Sequence, residues 1–299
     1  MKSLFESHIP GFPVRRGKVR DVYDLGGQLL IVASDRISAF DVILPTPIPD
    51  KGIILTELSN FWFHYFSPHV RHHLLSHRVE EFPGELANYA DQLQGRAVLV
   101  KKTRVIPIEC VVRGYLAGGG WKEYQKTGTV SGVKLPSGLQ LCGKLTQPIF
   151  TPSTKAEHGH DQSIAFAEAS RQVGAAVMTY VRDRSLELYR LAASYALRRG
   201  IIIADTKFEW GMTDDSRDPI LIDEALTPDS SRFWPAGDYA AGREQVSFDK
   251  QYVRNYLETL DWNKTPPGPE LPQEVVVNTQ KKYMEACQRL TGKRFAGAS

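Results

Sequence analysis

The chain has 299 residues, enough for about two domains at roughly 150 residues each. Hydrophobic residues make up 42% and charged residues 24%, which excludes intrinsic disorder and fibrous repeats over most of the length. With 37 Lys and Arg against 34 Asp and Glu, bulk charge is too even to predict a nucleic-acid partner, and no apolar run approaches the roughly 18 residues of a membrane span.

The N-terminus lacks the apolar core of a secretory signal. Cys110, Cys142 and Cys287 are odd in number and form no C-x-x-C pair, so a reduced cytoplasmic location is expected.

In chain order, Leu29–Ala33 after Gly26-Gly27 reads as a buried strand. A helix is expected over Thr56–Phe66, with Leu58, Phe61, Trp62 and Tyr65 as its apolar face. Ala97–Val100 and Val105–Val112 are further strands, the second beginning after Pro107 or lying at an edge. Gly114–Gly120 and Gly128–Pro152 read as long loops, and loops of that length are usually functional. Helices are expected over Asp161–Val173, ended by Gly174, and over Arg182–Arg199, ended by Gly200. Ile201–Asp205 and Pro219–Asp223 read as a hairpin turned by Gly211–Asp218. Two helices close the chain, Asp249–Leu260 and Glu274–Leu290. Early strands and later helices predict an α+β class. The division is expected near Glu109, with residues 1–108 as a β-rich lobe and 109–299 as an α+β lobe.

The chemistry concentrates at the hairpin. Strict alternation puts Ile201, Ile203, Asp205, Lys207 and Glu209 on one strand face, with Asp223 and Glu224 ending the partner strand. Three or four carboxylates with a lysine suit a hard divalent cation that shares phosphate oxygens, against a solvated strand end as the bland alternative. Gly17-Lys18-Val19-Arg20 could cradle phosphates, although a basic surface turn is the better reading on pattern alone. Ser34–Asp41 follows a strand end, where a site or a simple turn is equally at home. Gly138–Leu145 nearly matches a P-loop, but Leu145 stands where a hydroxyl is required. His69, His73 and His77 are expected on a solvated face. Phe61, Trp62, Phe63, Tyr65 and Phe66 are expected in the core.

Taken together, GKVRDVY (17–23), SDRISAFD (34–41), KGIILTELSNFWF (51–63), PIECVVRGYLAG (107–118), WKEY (121–124), TPSTKAEHGHD (151–161), IIIADTKFEWG (201–211), LIDEALTPDSSRFW (221–234) and FDKQYVRNYLE (248–258) resemble the SAICAR synthetase family. The resemblance implies a two-lobed fold, a small β-rich N-terminal lobe and a larger α+β lobe with ATP between them. It implies a carbon–nitrogen ligase of purine biosynthesis. Such an enzyme joins the carboxylate of carboxyaminoimidazole ribonucleotide (CAIR) to the amine of L-aspartate through an acyl phosphate, giving SAICAR, ADP and phosphate.

By the same resemblance, Lys18 and Arg20 would contact ATP phosphates. Glu209 and Asp223 would hold Mg2+, Glu209 also reaching the nucleotide, and Lys207 would face the transferring phosphoryl group. Asp35, Ser38 and Asp41 would line the CAIR side, and Arg113, Lys155, Arg232, Lys250 and Arg254 would bind the anionic substrates. Asp205 is the expected base for the attacking amine. The implied partners are small molecules only, and the implied assembly is a monomer or small homo-oligomer. One departure is visible: Gly119 stands where the family commonly has serine. Two other readings are a different ATP-dependent phosphotransferase or ligase on the same scaffold, since fold does not fix function, and a nucleotide-binding module without turnover, against which Lys207, Glu209 and Asp223 together argue.

Overall fold

A computed structural model describes residues 3–155, 162–215 and 217–295. The expected helix start at Asp161 and the last part of the TPSTKAEHGHD segment lie outside them. The chain opens with β1 (Val14–Arg16), β2 (Arg20–Asp24) and β3 (Gln28–Ala33), then a small hairpin of β4 (Ser38–Ala39) and β5 (Val42–Ile43). Helix α1 (Lys51–Phe66), β6 (Leu74–Ser76), the short α2 (Ala90–Leu93) and β7 (Ala97–Lys101) follow. The first sheet has the order β1-β2-β3-β7-β6 and is antiparallel throughout. Alternation gives it two faces. Tyr23, Leu30, Val32 and Leu99 pack under Ile9, Val79, Phe82, Leu86 and Leu93, while Ile31, Ala33 and Val98 look toward α1.

The second sheet is built from β8 (Arg104–Val105), β9 (Ile108–Tyr115), β12 (Lys144–Thr154), β13 (Ile201–Met212), β14 (Ile220–Ile222) and β15 (Ser231–Pro235). Its main order is β12-β9-β13-β14, and β15 and β8 also pair with β13. Between β9 and β12 stand α3 (Gly118–Thr127) and a hairpin of β10 (Thr129–Val130) and β11 (Val133–Lys134). Helices α4 (Phe166–Val173) and α5 (Ala175–Leu197) lead into β13, and α6 (Gln251–Glu258) and α7 (Gln273–Thr291) close the chain. The class is α+β, as expected.

Helix α5 is tied to β13 at two points. Tyr189 donates its hydroxyl to the Ile203 carbonyl at 2.7 Å, and the Trp210 indole donates to Ser185 at 3.1 Å. The aromatic run of α1 joins this core as expected, with Trp62, Phe63 and Phe66 at most 2% exposed. Helix α1 is thus the element that carries the first sheet on the second.

Four expectations change. The two long loops contain the end of β9, the first turn of α3, the β10–β11 hairpin and most of β12, because tertiary contacts override poor glycine propensity. Helix α1 starts five residues earlier than its apolar pattern, at Lys51. Gly52 hides that first turn from propensity but is required there, since a Cβ would lie 2.2 Å from the Ala33 carbonyl oxygen. Strict alternation fails in β13, where register with β15 slips between Ile203 and Asp205. The bulge carries Asp205, Lys207 and Glu209 off the face of Ile201 and Ile203, which share the main core with Phe208 and Trp210. His73 is also buried, at 3% exposure, and burial pushes its pKa down to about 3.

Lys144 begins a strand rather than a helix, so the P-loop match is fortuitous. Cys110, Cys142 and Cys287 are free and buried. Among the described residues no helix is long and apolar enough to cross a membrane.

Candidate active site

The site lies where β2 of the first sheet meets β9, β13 and the end of β14 of the second, and its first half is an array of alternating charge. The Gly17 N–H donates to the Arg20 carbonyl at 2.7 Å, closing a turn with Lys18 at its exposed tip. Lys18 pairs with Asp41 on the β4–β5 turn. Arg20 reaches from β2 into the other lobe, 2.5 Å from Asp223 Oδ1, and also engages Glu224. Asp223 sits just past β14 with φ +65°, in the left-handed region. On β13, Lys207 Nζ lies 2.8 Å from Glu209 Oε1 and 2.8 Å from Glu109 Oε1. Lys155, at the end of β12, takes the other oxygen of Glu209.

These pairs set the protonation states. Burial disfavours charge on Asp223, but Arg20, Lys207 and Lys155 outweigh it and hold the carboxyl below its usual range. Burial likewise opposes the Lys207 ammonium, and Glu209, Glu109 and Asp223 more than offset that, raising its pKa well above the ordinary lysine value.

The second half rests on strand register. Arg113 of β9 stands opposite Asp205 of β13, and Asp205 stands opposite Arg232 of β15. Three adjacent strands therefore line up guanidinium, carboxylate, guanidinium. Asp205 Oδ2 accepts from Arg113 at 2.8 Å and from Arg232 at 2.5 Å. Lys250, just before α6, and Arg254, within it, complete a cavity of about 260 Å3 that Lys207 also lines. A second cavity of about 390 Å3 shares Arg232 and Arg254 and runs to Asp41, Gly118, Gly119 and Trp121.

Burial lowers the pKa of Arg113 and of Arg254, and the Arg232 charge pushes each the same way. Asp205 raises that of Arg232. The cavity therefore carries five cationic side chains, its arginines part-buried, against four carboxylates, an excess that favours binding an anion. Helix α3 begins at this wall. A Cβ on Gly118 would lie 2.1 Å from Arg232 Nη2, and its φ is +53°, so glycine lets the helix N-terminus approach the guanidinium. A Cβ on Gly119 would meet nothing within 4 Å.

Two expected substrate residues line neither of these cavities. Asp35 is fully buried and accepts from the Leu4 N–H, the Gly52 N–H and Arg96. It ties the N-terminal segment, α1 and the first sheet together. Ser38 is 8% exposed within the β4–β5 hairpin and lines neither cavity.

Sequence reasoning passed over Lys51, Glu109, Asp229 and Asp249. Lys51 Nζ lies 2.7 Å from Asp229 Oδ2 across 178 residues of chain, a pairing that no local pattern announces. Polar residues inside quoted motifs (Lys51 in KGIILTEL, Asp229 in TPDSS) were the available signal.

Among the described residues no group of three or more His, Cys, Asp or Glu is arranged to hold a metal. The expected sharing of three or four carboxylates narrows accordingly, because Asp205 serves the arginines and Glu224 serves Arg20 and Thr227. Glu209, which is buried, and Asp223, which is part-buried, remain as hard oxygen donors facing the cleft. That set fits Mg2+, which commonly takes one or two carboxylates and completes its shell with phosphate and water.

Residues 13–269 match the SAICAR synthetase family. The chain belongs to that family. It is 56% identical over 291 residues to the phosphoribosylaminoimidazole-succinocarboxamide synthase of Desulfosudis oleivorans, covering 97% of this chain and 99% of that one. The SAICAR synthase of Saccharomyces cerevisiae, solved in complex with SAICAR, superposes with a TM-score of 0.90 at 44% identity over 98% of this chain and 100% of that chain. A type-2 SAICAR synthetase solved with ADP shares the fold at a TM-score of 0.70 and 23% identity, over 95% of this chain and 99% of that one.

Proposed function

We infer that the protein is the ATP-dependent ligase that joins the carboxylate of CAIR to the amine of L-aspartate, releasing SAICAR, ADP and phosphate. The observation that carries this reading is the contact between the two halves of the cleft. The carboxylates Glu209 and Asp223, each paired with a lysine or arginine, adjoin a cavity of part-buried arginines through Lys207.

The chemistry follows from charge. A carboxylate resists attack by an amine, and phosphorylation converts one of its oxygens into a leaving group. Phosphoryl transfer needs alignment and neutralisation more than covalent help. On this reading Glu209 and Asp223 hold Mg2+, and the ion supplies charge neutralisation at the ATP phosphates. Arg20, Lys155 and Lys18 neutralise Asp223, Glu209 and Asp41 in the ligand-free protein, and in the complex turn to phosphate oxygens. Lys207 stays protonated between Glu109 and Glu209 and faces the phosphoryl group in flight. Arg113, Arg232 and Arg254 bind the ribonucleotide phosphate and the carboxylates of aspartate by paired N–H donors. Asp205 keeps the first two guanidiniums in plane, a duty that competes with service as a base. Residues 1–108 and 109–299 form the two lobes in this scheme, with β8 crossing early to pair with β13 of the second. The enzyme acts in the cytoplasm, as a monomer or small homo-oligomer, on small molecules alone.

The test is ADP release with ATP, Mg2+, CAIR and L-aspartate, omitting each in turn and repeating with Asp223→Asn. ADP formed only with all four, and nearly lost in Asp223→Asn, supports the reading. ADP formed equally in the absence of CAIR would defeat it.

A further inference from the structure

Aspartate arrives with its α-amine as an ammonium at neutral pH, and an ammonium has no lone pair with which to attack. Some group at the cavity must take a proton. The carboxylates lining the cavity are committed elsewhere. Asp205 holds two guanidiniums and Glu109 holds Lys207. Asp249 accepts the backbone N–H of Phe233 at 2.9 Å on one oxygen and that of Gln251 at 2.8 Å on the other. Lys207 is itself clamped by two carboxylates.

Lys250 differs from all of these. It is 9% exposed and lines the same cavity. Its nearest ion-pair partner, Asp229 Oδ1, is 3.4 Å away and makes no hydrogen bond, while Oδ2 of that carboxylate is engaged by Lys51. The amine is therefore buried beside substrate space with only a loose counterion.

Resting on the ligase reading above, we propose that Lys250 is the general base that removes the proton from the aspartate ammonium. Neutral Lys250 accepts one N–H proton, and Asp229 Oδ1 stands ready to pair with the ammonium so formed. The freed amine attacks the acyl-phosphate carbon, the C–N bond forms, and the C–O bond to phosphate breaks. The second proton leaves nitrogen with the departing phosphate, and Lys250 returns its own to solvent. The charged groups around Lys250 support the assignment. Burial lowers its pKa to about 8, against the attraction of Asp229 and Glu224, and the positive charges of Lys51 and Arg254 push it further down. A base poised near the working pH is the effective kind.

The experiment compares wild type, Lys250→Arg and Lys250→Met in two reactions. One is ligation of aspartate to CAIR. The other replaces aspartate with hydroxylamine, which is already neutral at pH 7 and traps the acyl phosphate as a hydroxamate. Thermal midpoints check that each variant folds. Both variants are expected to lose ligation by roughly 100-fold or more, and hydroxamate formation by far less. The wild-type kcat is expected to rise through pH 8 to a plateau, a limb missing from the residual activity of Lys250→Met. Ligation within about threefold of wild type in Lys250→Arg would overturn the assignment, since a guanidinium keeps the charge but gives up no proton. A parallel loss of both reactions would do the same and indicate a binding role. Absence of ligation in the wild type would instead defeat the ligase reading itself.

Discussion

Asp229→Ala is expected to destabilise the fold by about 3–5 kcal/mol, the usual result of removing one partner of a buried ion pair. Lys51 is 1% exposed and Asp229 3%, and they meet at 2.7 Å. Without the carboxylate, the Lys51 ammonium stays buried near the cationic Lys250 and Arg20 with no counterion. At about 2.1 cal/mol/K of unfolding entropy per residue, that loss lowers the melting midpoint by about 5–8 °C for a chain of this length. The effect depends on pH with a definite sign. Lys250 and Lys51, against burial, hold Asp229 down at about 2. Its contribution is therefore complete above the ordinary carboxylate value of about 4 and is lost as pH falls through about 2. The gap between variant and wild type should narrow over that acidic window.

Thermal and urea denaturation at pH 7 measure the effect, with Lys51→Met/Asp229→Ala as companion. Removing the stranded ammonium should restore part of the loss, so the two changes should be less than additive. A midpoint shift under about 2 °C, or full additivity, would show that the pair is hydrated and would refute the reasoning.

Gly118→Ala puts a Cβ 2.1 Å from Arg232 Nη2 and enforces φ +53° on a side chain. Losing the Arg232 contacts removes about 1.5–3 kcal/mol of charged hydrogen bonding, so KM for CAIR or aspartate should rise roughly tenfold or more in steady-state assays. Gly119→Ser has open space for its side chain and restores the hydroxyl common in the family. It should change one of those KM values by the worth of one hydrogen bond, about 0.5–1.5 kcal/mol, and identical values for both substrates would exclude a binding role. Asp205→Asn keeps the shape but removes the charge on which Arg113 and Arg232 converge. It should lower kcat/KM for CAIR by roughly tenfold or more, whereas wild-type kinetics would mean that strand register alone holds the two guanidiniums.

Local pattern was enough wherever the periodicity of burial was regular. The aromatic run of α1 and the pattern of α7 read as helices because each turn repeats the same demand for an apolar face. Family resemblance brought Arg20, Arg113, Lys207, Glu209, Asp223 and Arg232 into one expected site, since those residues stand inside the motifs that carry the resemblance. Glycine at 118–120 misled, because propensity counts its entropic cost and cannot see the guanidinium that needs the space.

What only the tertiary structure decided were features set by partners distant in sequence. Alternation along Ile201–Trp210 put the charges on the wrong face, because the bulge at Ala204 depends on how β13 meets β15. Asp35 carries the same chemistry as Asp41, yet Arg96 and the amides of Leu4 and Gly52 surround it and turn it into a structural hub. Lys51, Asp229 and Lys250 become one buried cluster through contacts spanning up to 178 residues. A charge written in the sequence has its type fixed there, whereas its function depends on burial and on which opposite charge the fold brings within reach.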